Sequence, residues 1–162
     1  MRGSAAPIED LRATLAHIPI KEEDGEVVLS PSSTEEVADV LRYCNERALP
    51  LEITGGRTKR TWAGAAEARL ILDTTRLNGV REHPWQDLTA TVGAGTTWFE
   101  MQRVLAAHNQ FVALDPLWPE HATVGGVLAT NDSGALRVKY GSARDLVIGM
   151  TLVLADGTIA KT

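Results

Sequence analysis

The stretch from Glu26 to Thr54 constrains the fold more than any other. Glu26–Leu29 is a short apolar run closed by Ser30-Pro31. Ser33, with Glu36 three residues on, then spells a helix-capping box ahead of an apolar repeat. Val37, Val40, Leu41, Cys44 and Ala48 fall on one helical face. The helix is expected to run to about Arg47, Pro50 to end the connection, and Leu51–Thr54 to form a second strand. Strand, helix, strand is a βαβ unit, whose strands are parallel because the helix carries the chain back to its starting edge.

The remaining pattern adds elements on both sides. Ile8–Leu15 reads as a short helix behind a frayed tail, Met1–Pro7. Arg69–Asp73 reads as a third strand, and Val80–His83 and Leu88–Val92 as two more separated by Pro84. Thr97 with Glu100 makes a second capping box, for a helix to about Ala107. Asp115–Glu120 is a proline-bearing loop, and Thr123–Asn131 a short helix opened by glycines. Leu146–Leu154 reads as a strong strand, Asp156-Gly157 as a turn and Thr158–Lys161 as the returning strand. The fold class expected is α+β, in two small subdomains. Residues 1–80 carry a short parallel sheet and residues 81–162 a mainly antiparallel one, with the break near Leu77–Asp87 and the glycine loops meeting between them. An end directly after a strand reads as a piece of a longer protein.

Three glycine clusters lie at the strand ends: Gly55-Gly56, Gly93-Ala94-Gly95, and Gly125-Gly126 with Gly134 and Gly141 beyond. Each alone reads as a turn. Gly55-Gly56-Arg57-Thr58-Lys59 is no phosphate loop of the Walker type, since Thr precedes Lys and no helical pattern follows. Gly93-Ala94-Gly95 sits between a strand and a helix, but the dinucleotide fingerprint needs a small residue where Trp98 stands. A different arrangement fits better. The Gly55–Lys59 loop and a helix starting at Thr123-Val124-Gly125-Gly126 could both present unpaired N–H groups to a diphosphate. The Thr58, Thr123 and Ser133 hydroxyls could add hydrogen bonds. With a formal net charge of −5, long-range attraction for nucleic acid or an anionic membrane is not expected, so an anion must be held by local donors.

These residues resemble the FAD-binding domain of the vanillyl-alcohol oxidase / p-cresol methylhydroxylase type, and within it the FAD-binding subunits of bacterial glycolate oxidases. Val28–Val40 (VLSPSSTEEVADV), Ile53–Lys59 (ITGGRTK), Leu88–Gly95 (LTATVGAG) and Asp115–Gly157, with its TVGG, Tyr-Gly, Arg-Asp and ADG in family order, carry the likeness. The resemblance implies that Gly55, Gly56, Arg57, Thr58 and Lys59 wrap the FAD pyrophosphate. It implies that Thr123, Gly125 and Gly126 lie on the flavin side, and that Asn131, Ser133, Tyr140 and Gly141 form a second wall. Backbone near Ile159 would reach the adenine or ribose. Many members carry glycine where Arg57 stands. Some tether FAD through a histidine in this loop; none is present here, so binding is expected to be non-covalent.

The implied activity is oxidation of a small 2-hydroxy acid, glycolate first, with a D-lactate dehydrogenase-like or other FAD-linked oxidase, or a non-catalytic FAD-binding subunit working with a partner chain, as alternatives. The family's later FAD-contacting segment and cap domain lie outside these residues, so the catalytic residues are not assigned and the chain by itself is expected to be catalytically incomplete. The expected partners are FAD, the 2-hydroxy-acid substrate and further subunits of a glycolate oxidase complex. The expected location is cytoplasmic, peripheral to the inner membrane through those subunits, with no transmembrane segment.

Other chemistry is weakly signalled. His17, His83, His108 and His121 show no metal-ligand spacing, and no metal site is expected. His121, just before TVGG, reads as a loop histidine or a neighbour of the flavin. Asp115 and Glu120 read as solvated, Arg144-Asp145 as a structural pair, Cys44 as a small core residue, and Trp98 and Trp118 as core. No serine has the Gly-x-Ser-x-Gly context of a hydrolase.

Overall fold

The computed structural model describes residues 8–62, 64 and 68–162; the tail expected at Met1–Pro7 lies outside them. The elements are α1 (Ile8–Thr14), β1 (Ile20–Glu23), β2 (Glu26–Leu29), α2 (Thr34–Glu46), β3 (Leu51–Thr54), β4 (Leu70–Asp73), β5 (Val80–Glu82), β6 (Thr91–Val92), α3 (Trp98–Ala106), α4 (Val124–Thr130), α5 (Arg137–Tyr140), α6 (Ala143–Leu146), β7 (Thr151–Val153) and β8 (Ile159–Lys161). They form two units, each discontinuous in sequence. The first holds residues up to Thr54, Ala65–Arg76 and Gly149–Thr162; the second holds Gly55–Gly64 and Leu77–Ile148. The sequence expectation instead divides the chain once, at residue 80.

In the first unit the sheet order is β1-β2-β4-β3. β2 and β3 run parallel, as the βαβ pattern requires, but β4 lies between them and is parallel to both. Leu29, Ile71 and Leu72 are almost wholly buried, the expected state of central parallel strands covered on both faces. β1, missed in the sequence, pairs antiparallel with β2 across Asp24 and Gly25, both at positive φ. Asp-Gly is a strong hairpin signal, but the charged run Ile20–Glu23 does not look like a strand. Ser33 caps α2 through a 3.1 Å bond from the Glu36 N–H. Glu36 reaches back to the Ser32 N–H rather than that of Ser33. Cys44 is buried, as expected, and burial pushes its thiol up to about 11. The final hairpin, β7 with β8, belongs to this unit. Its Gly157 turn packs so closely on α2 that a Cβ there would lie 2.7 Å from the Ala38 carbonyl oxygen.

The second unit is built on α3 and α4. Its core is Trp98, Met101, Leu105, Leu114, Ala122, Val127 and Ala143. Thr97 caps α3 through the Glu100 N–H. β5 and β6 pair antiparallel, with a 3-10 turn at Trp85–Asp87 in the connection where the sequence suggests only a proline break. The strand expected over Leu146–Leu154 begins only at Thr151. Its first residue closes α6, opened by a capping box in which Asp145 accepts from the Ser142 N–H and hydroxyl. These two bonds, the backbone one foremost, hold the Asp145 carboxyl below its usual range. Asp145 therefore serves mainly as a cap, with Arg144 a lesser influence than the pairing expected from sequence.

Candidate functional site

The loop Gly55–Lys59 and the segment His121–Gly126 lie together in the second unit, so they meet within one unit rather than across two. Their contact explains the glycines. A Cβ on Gly56 would overlap the His121 carbonyl oxygen, and one on Gly55 would overlap the Thr123 hydroxyl. The loop therefore lies directly on the approach to α4, a fit only residues without side chains allow. Arg57, in the middle of the loop, is exposed and left-handed at φ 55°. This conformation costs a side-chain-bearing residue about 1–2 kcal/mol, so glycine would sit there with less strain.

Among the described residues, none of the N–H groups of Gly55, Gly56, Arg57, Thr58 and Lys59 donates a hydrogen bond. A run of free N–H groups around a left-handed residue is the material of an anion-binding nest. Lys59 adds a full charge. Its side chain is 5% exposed, and its Nζ lies 2.7 Å from Asp132 Oδ2, itself 8% exposed. The angles of that approach fall outside hydrogen-bond geometry, so this ion pair leaves the ammonium without a hydrogen-bond partner. A buried ammonium left without a hydrogen-bond partner is costly unless a ligand completes it.

The start of α4 is different. The sequence suggests that TVGG offers a free helix terminus to an anion. The Val124 N–H instead donates to Thr96 O at 2.9 Å, the Gly125 N–H to Ala94 O at 2.8 Å, and the Gly126 N–H to the Thr123 hydroxyl at 3.3 Å. Every N–H of that first turn is used by the fold, because Thr123 bridges to Thr97 and brings the Gly93–Thr96 turn underneath. The Gly93-Ala94-Gly95 cluster, rejected as a nucleotide fingerprint, thus pins α4. Trp98, the residue that ruled it out, is buried in the core.

The other expected site residues divide between the units. Asn131 closes α4 in a left-handed conformation. Buried Ser133 accepts from the Ala143 N–H at 3.2 Å. Tyr140 ends α5 and packs edge-on against Phe111, with Gly141 next to it at positive φ. All these lie in the second unit, and Ile159 in the first. Asp115 is exposed, as expected, and its carboxylate also accepts from the Leu136 N–H at 2.9 Å. Trp118, expected in the core, is half exposed. The His121 side chain is exposed. Sequence reasoning missed Asp132, which has no motif and is picked out only by the buried lysine beside it. Among the described residues no cluster of metal-ligating side chains occurs, and no helix is long and apolar enough to cross a membrane.

Residues 25–162 match the family described as FAD binding domain. The chain is 35% identical over 138 residues to the mitochondrial D-lactate dehydrogenase [cytochrome] of Arabidopsis thaliana, covering 85% of this chain and 24% of that protein. It is 33% identical over 138 residues to the glycolate oxidase subunit GlcD of Bacillus subtilis, covering 85% of this chain and 29% of that one. Among solved structures, a chitooligosaccharide oxidase superposes with a TM-score of 0.78 at 17% identity, over 94% of this chain and 36% of the other. An alkyldihydroxyacetonephosphate synthase superposes at 0.73 and 24% identity, over 84% of this chain and 26% of the other. At such identities these two likenesses speak for the fold alone.

The site and the fold thus define a flavin-dinucleotide-binding domain. The chain belongs to the FAD-binding-domain family of the vanillyl-alcohol oxidase / p-cresol methylhydroxylase type, the kind found in FAD-linked oxidoreductases. It spans about a quarter of the length of the curated relatives named above. The free N–H groups and the Lys59 ammonium suit the diphosphate of FAD.

Proposed function

We propose that the chain holds the FAD of an oxidoreductase acting on a small 2-hydroxy acid, with glycolate the leading substrate and D-lactate the alternative. One observation carries the reading: five consecutive loop residues with unused N–H groups end in a buried, incompletely paired ammonium. Gly55, Gly56, Arg57, Thr58 and Lys59 hold the diphosphate. Charge-assisted bonds of this kind contribute about 1.5–3 kcal/mol each and neutral ones about 1, enough in sum for retention without a covalent tether. Residues 55–59 contain neither His nor Cys, the side chains that could form one. Thr123, Gly125 and Gly126 contribute a close surface on the flavin side rather than hydrogen-bond donors. Asn131, Ser133, Tyr140 and Gly141 form the second wall.

FAD supplies a hydride acceptor for the substrate's C–H bond. The part played by these residues is to position it and to exclude water. The 2-hydroxy-acid reading draws on the relatives named for D-lactate and glycolate. The chain matches only about a quarter of their length, so substrate contacts and proton transfer fall to residues supplied elsewhere, in the same protein or in partner subunits. A cytoplasmic location, at the inner membrane through those partners, goes with this reading.

Titration of the purified chain with FAD is expected to quench flavin fluorescence and raise Tm. Acid precipitation of the complex is expected to leave the flavin in the supernatant. A chain that neither quenches flavin fluorescence nor gains stability with FAD would overturn the cofactor reading, and flavin carried down with the protein would overturn the non-covalent one. Bleaching of the flavin absorbance in FAD-loaded complete protein, with glycolate and D-lactate compared, separates the two substrates.

A further inference from the structure

Lys59 lies in the loop assigned above to the diphosphate, but Asp132 belongs to no motif and lies in the turn after α4. Its carboxylate is tied down, with Oδ2 accepting the Leu117 N–H at 2.9 Å and lying 2.7 Å from Lys59 Nζ. The Asp132 N–H donates to Val127 O at 3.1 Å, so its backbone is fixed as well. The lysine side chain, by contrast, is a flexible four-carbon stem whose head prefers water. Buried at 5% exposure without a hydrogen bond, it is held chiefly by the carboxylate, with the Trp62 ring 5.8 Å away as the weaker contact. Removing one member of a buried pair leaves the other charge uncompensated.

We propose that Asp132 is a positioning residue for cofactor binding: it fastens the Lys59 ammonium within the loop so that its unused N–H groups meet an incoming diphosphate. This inference rests on the FAD reading above. It gives Asp132 a paradoxical sign, since an acidic residue would promote the binding of an anion. The effect is indirect, acting wholly through Lys59. Fastening the lysine in advance removes the ordering cost that binding would otherwise carry.

The test is FAD titration of the whole chain at low and high NaCl, comparing wild type, Lys59→Met, Asp132→Asn and the double variant, with circular dichroism to confirm folding. Asp132→Asn keeps an oxygen for the Leu117 N–H and removes only the charge. Lys59→Met is expected to weaken FAD binding about tenfold or more at low salt and to flatten its salt dependence, since a screened cation has been lost. Asp132→Asn is expected to weaken binding about three- to tenfold. The double variant is expected to match Lys59→Met, because Asp132 has no route except through the lysine. Tighter FAD binding by Asp132→Asn would overturn the proposal by making Asp132 a competitor of the diphosphate. Unchanged affinity and salt dependence in Lys59→Met, or additive losses in the double variant, would overturn it as well. Failure of the wild-type chain to bind FAD at any salt would instead strike at the FAD reading itself.

Discussion

Two glycine pairs in the second unit look alike in sequence and do opposite things. Gly55-Gly56 opens the run Gly55–Lys59, in which no N–H donates a hydrogen bond among the described residues. Gly125-Gly126 opens a helix whose first three N–H groups are all spent, on Thr96, Ala94 and Thr123. Both pairs allow close approach, one to His121 and Thr123, the other to Ala94. A glycine pair at the end of an element therefore reports that backbone comes near, not that donors are free. Where the N–H groups have internal acceptors the pair is architecture, and where they have none it is a site.

Gly56→Ala should break this contrast most severely. The added Cβ meets the His121 backbone, which cannot rotate away. Overpacking of this kind costs about 3 kcal/mol, or a fall in Tm of about 6–12 °C for a chain this size. FAD affinity should fall with it, because the loop must lift. Thr123→Val comes next. It is nearly isosteric and removes only the hydroxyl that caps α4. A loss of about 1 kcal/mol in chemical denaturation is expected, with FAD binding largely kept. Gly125→Ala should be smaller still. Its Cβ would lie 3.0 Å from Ala94 Cβ and 3.1 Å from Ala94 O, a crowding partly offset by the roughly 1 kcal/mol that alanine gains over glycine within a helix. Net destabilisation below about 1 kcal/mol is expected, with FAD affinity reduced less than in Gly56→Ala, because the added Cβ points at Ala94. A loss of affinity as large as that of Gly56→Ala would show that the start of α4 matters to the cofactor as much as the Gly55–Lys59 loop.

The same contrast marks what could be read from sequence. The helix starts at Ser33 and Thr97 were legible because a cap and its N–H lie three residues apart. The Gly55–Lys59 loop was legible as irregular for an equally local reason. The acceptors that consume the α4 N–H groups were not, since Thr96 and Ala94 sit far upstream and reach α4 only through the Thr97–Thr123 bridge. Asp132 was hidden in the same way, since its role depends on a lysine brought to it by folding. Among the elements, β4 enters between β2 and β3, and the β7–β8 hairpin joins the first unit. Both are long-range pairings to which sequence periodicity is blind. The apolar run Leu146–Leu154 misled because a short helix and a strand share it, and Ser142 with Asp145 decides the boundary.

Arg57→Gly gives the smallest effect on stability and the sharpest comparison. Relief of the left-handed strain at φ 55° is worth about 1–2 kcal/mol. The greater freedom of glycine in the unfolded chain takes back about 0.5–1 kcal/mol. The variant should therefore be more stable by about 0.5–1 kcal/mol, seen as a rise in Tm of about 1–4 °C. A strained residue kept in a loop of free donors is expected to serve the ligand rather than the fold. FAD affinity should accordingly fall severalfold in the same variant, with stability and affinity moving in opposite directions. If both rise together, the guanidinium has no part in holding the diphosphate. The loop then binds by its N–H groups and Lys59 alone, and glycine would be the better residue at this position on every count.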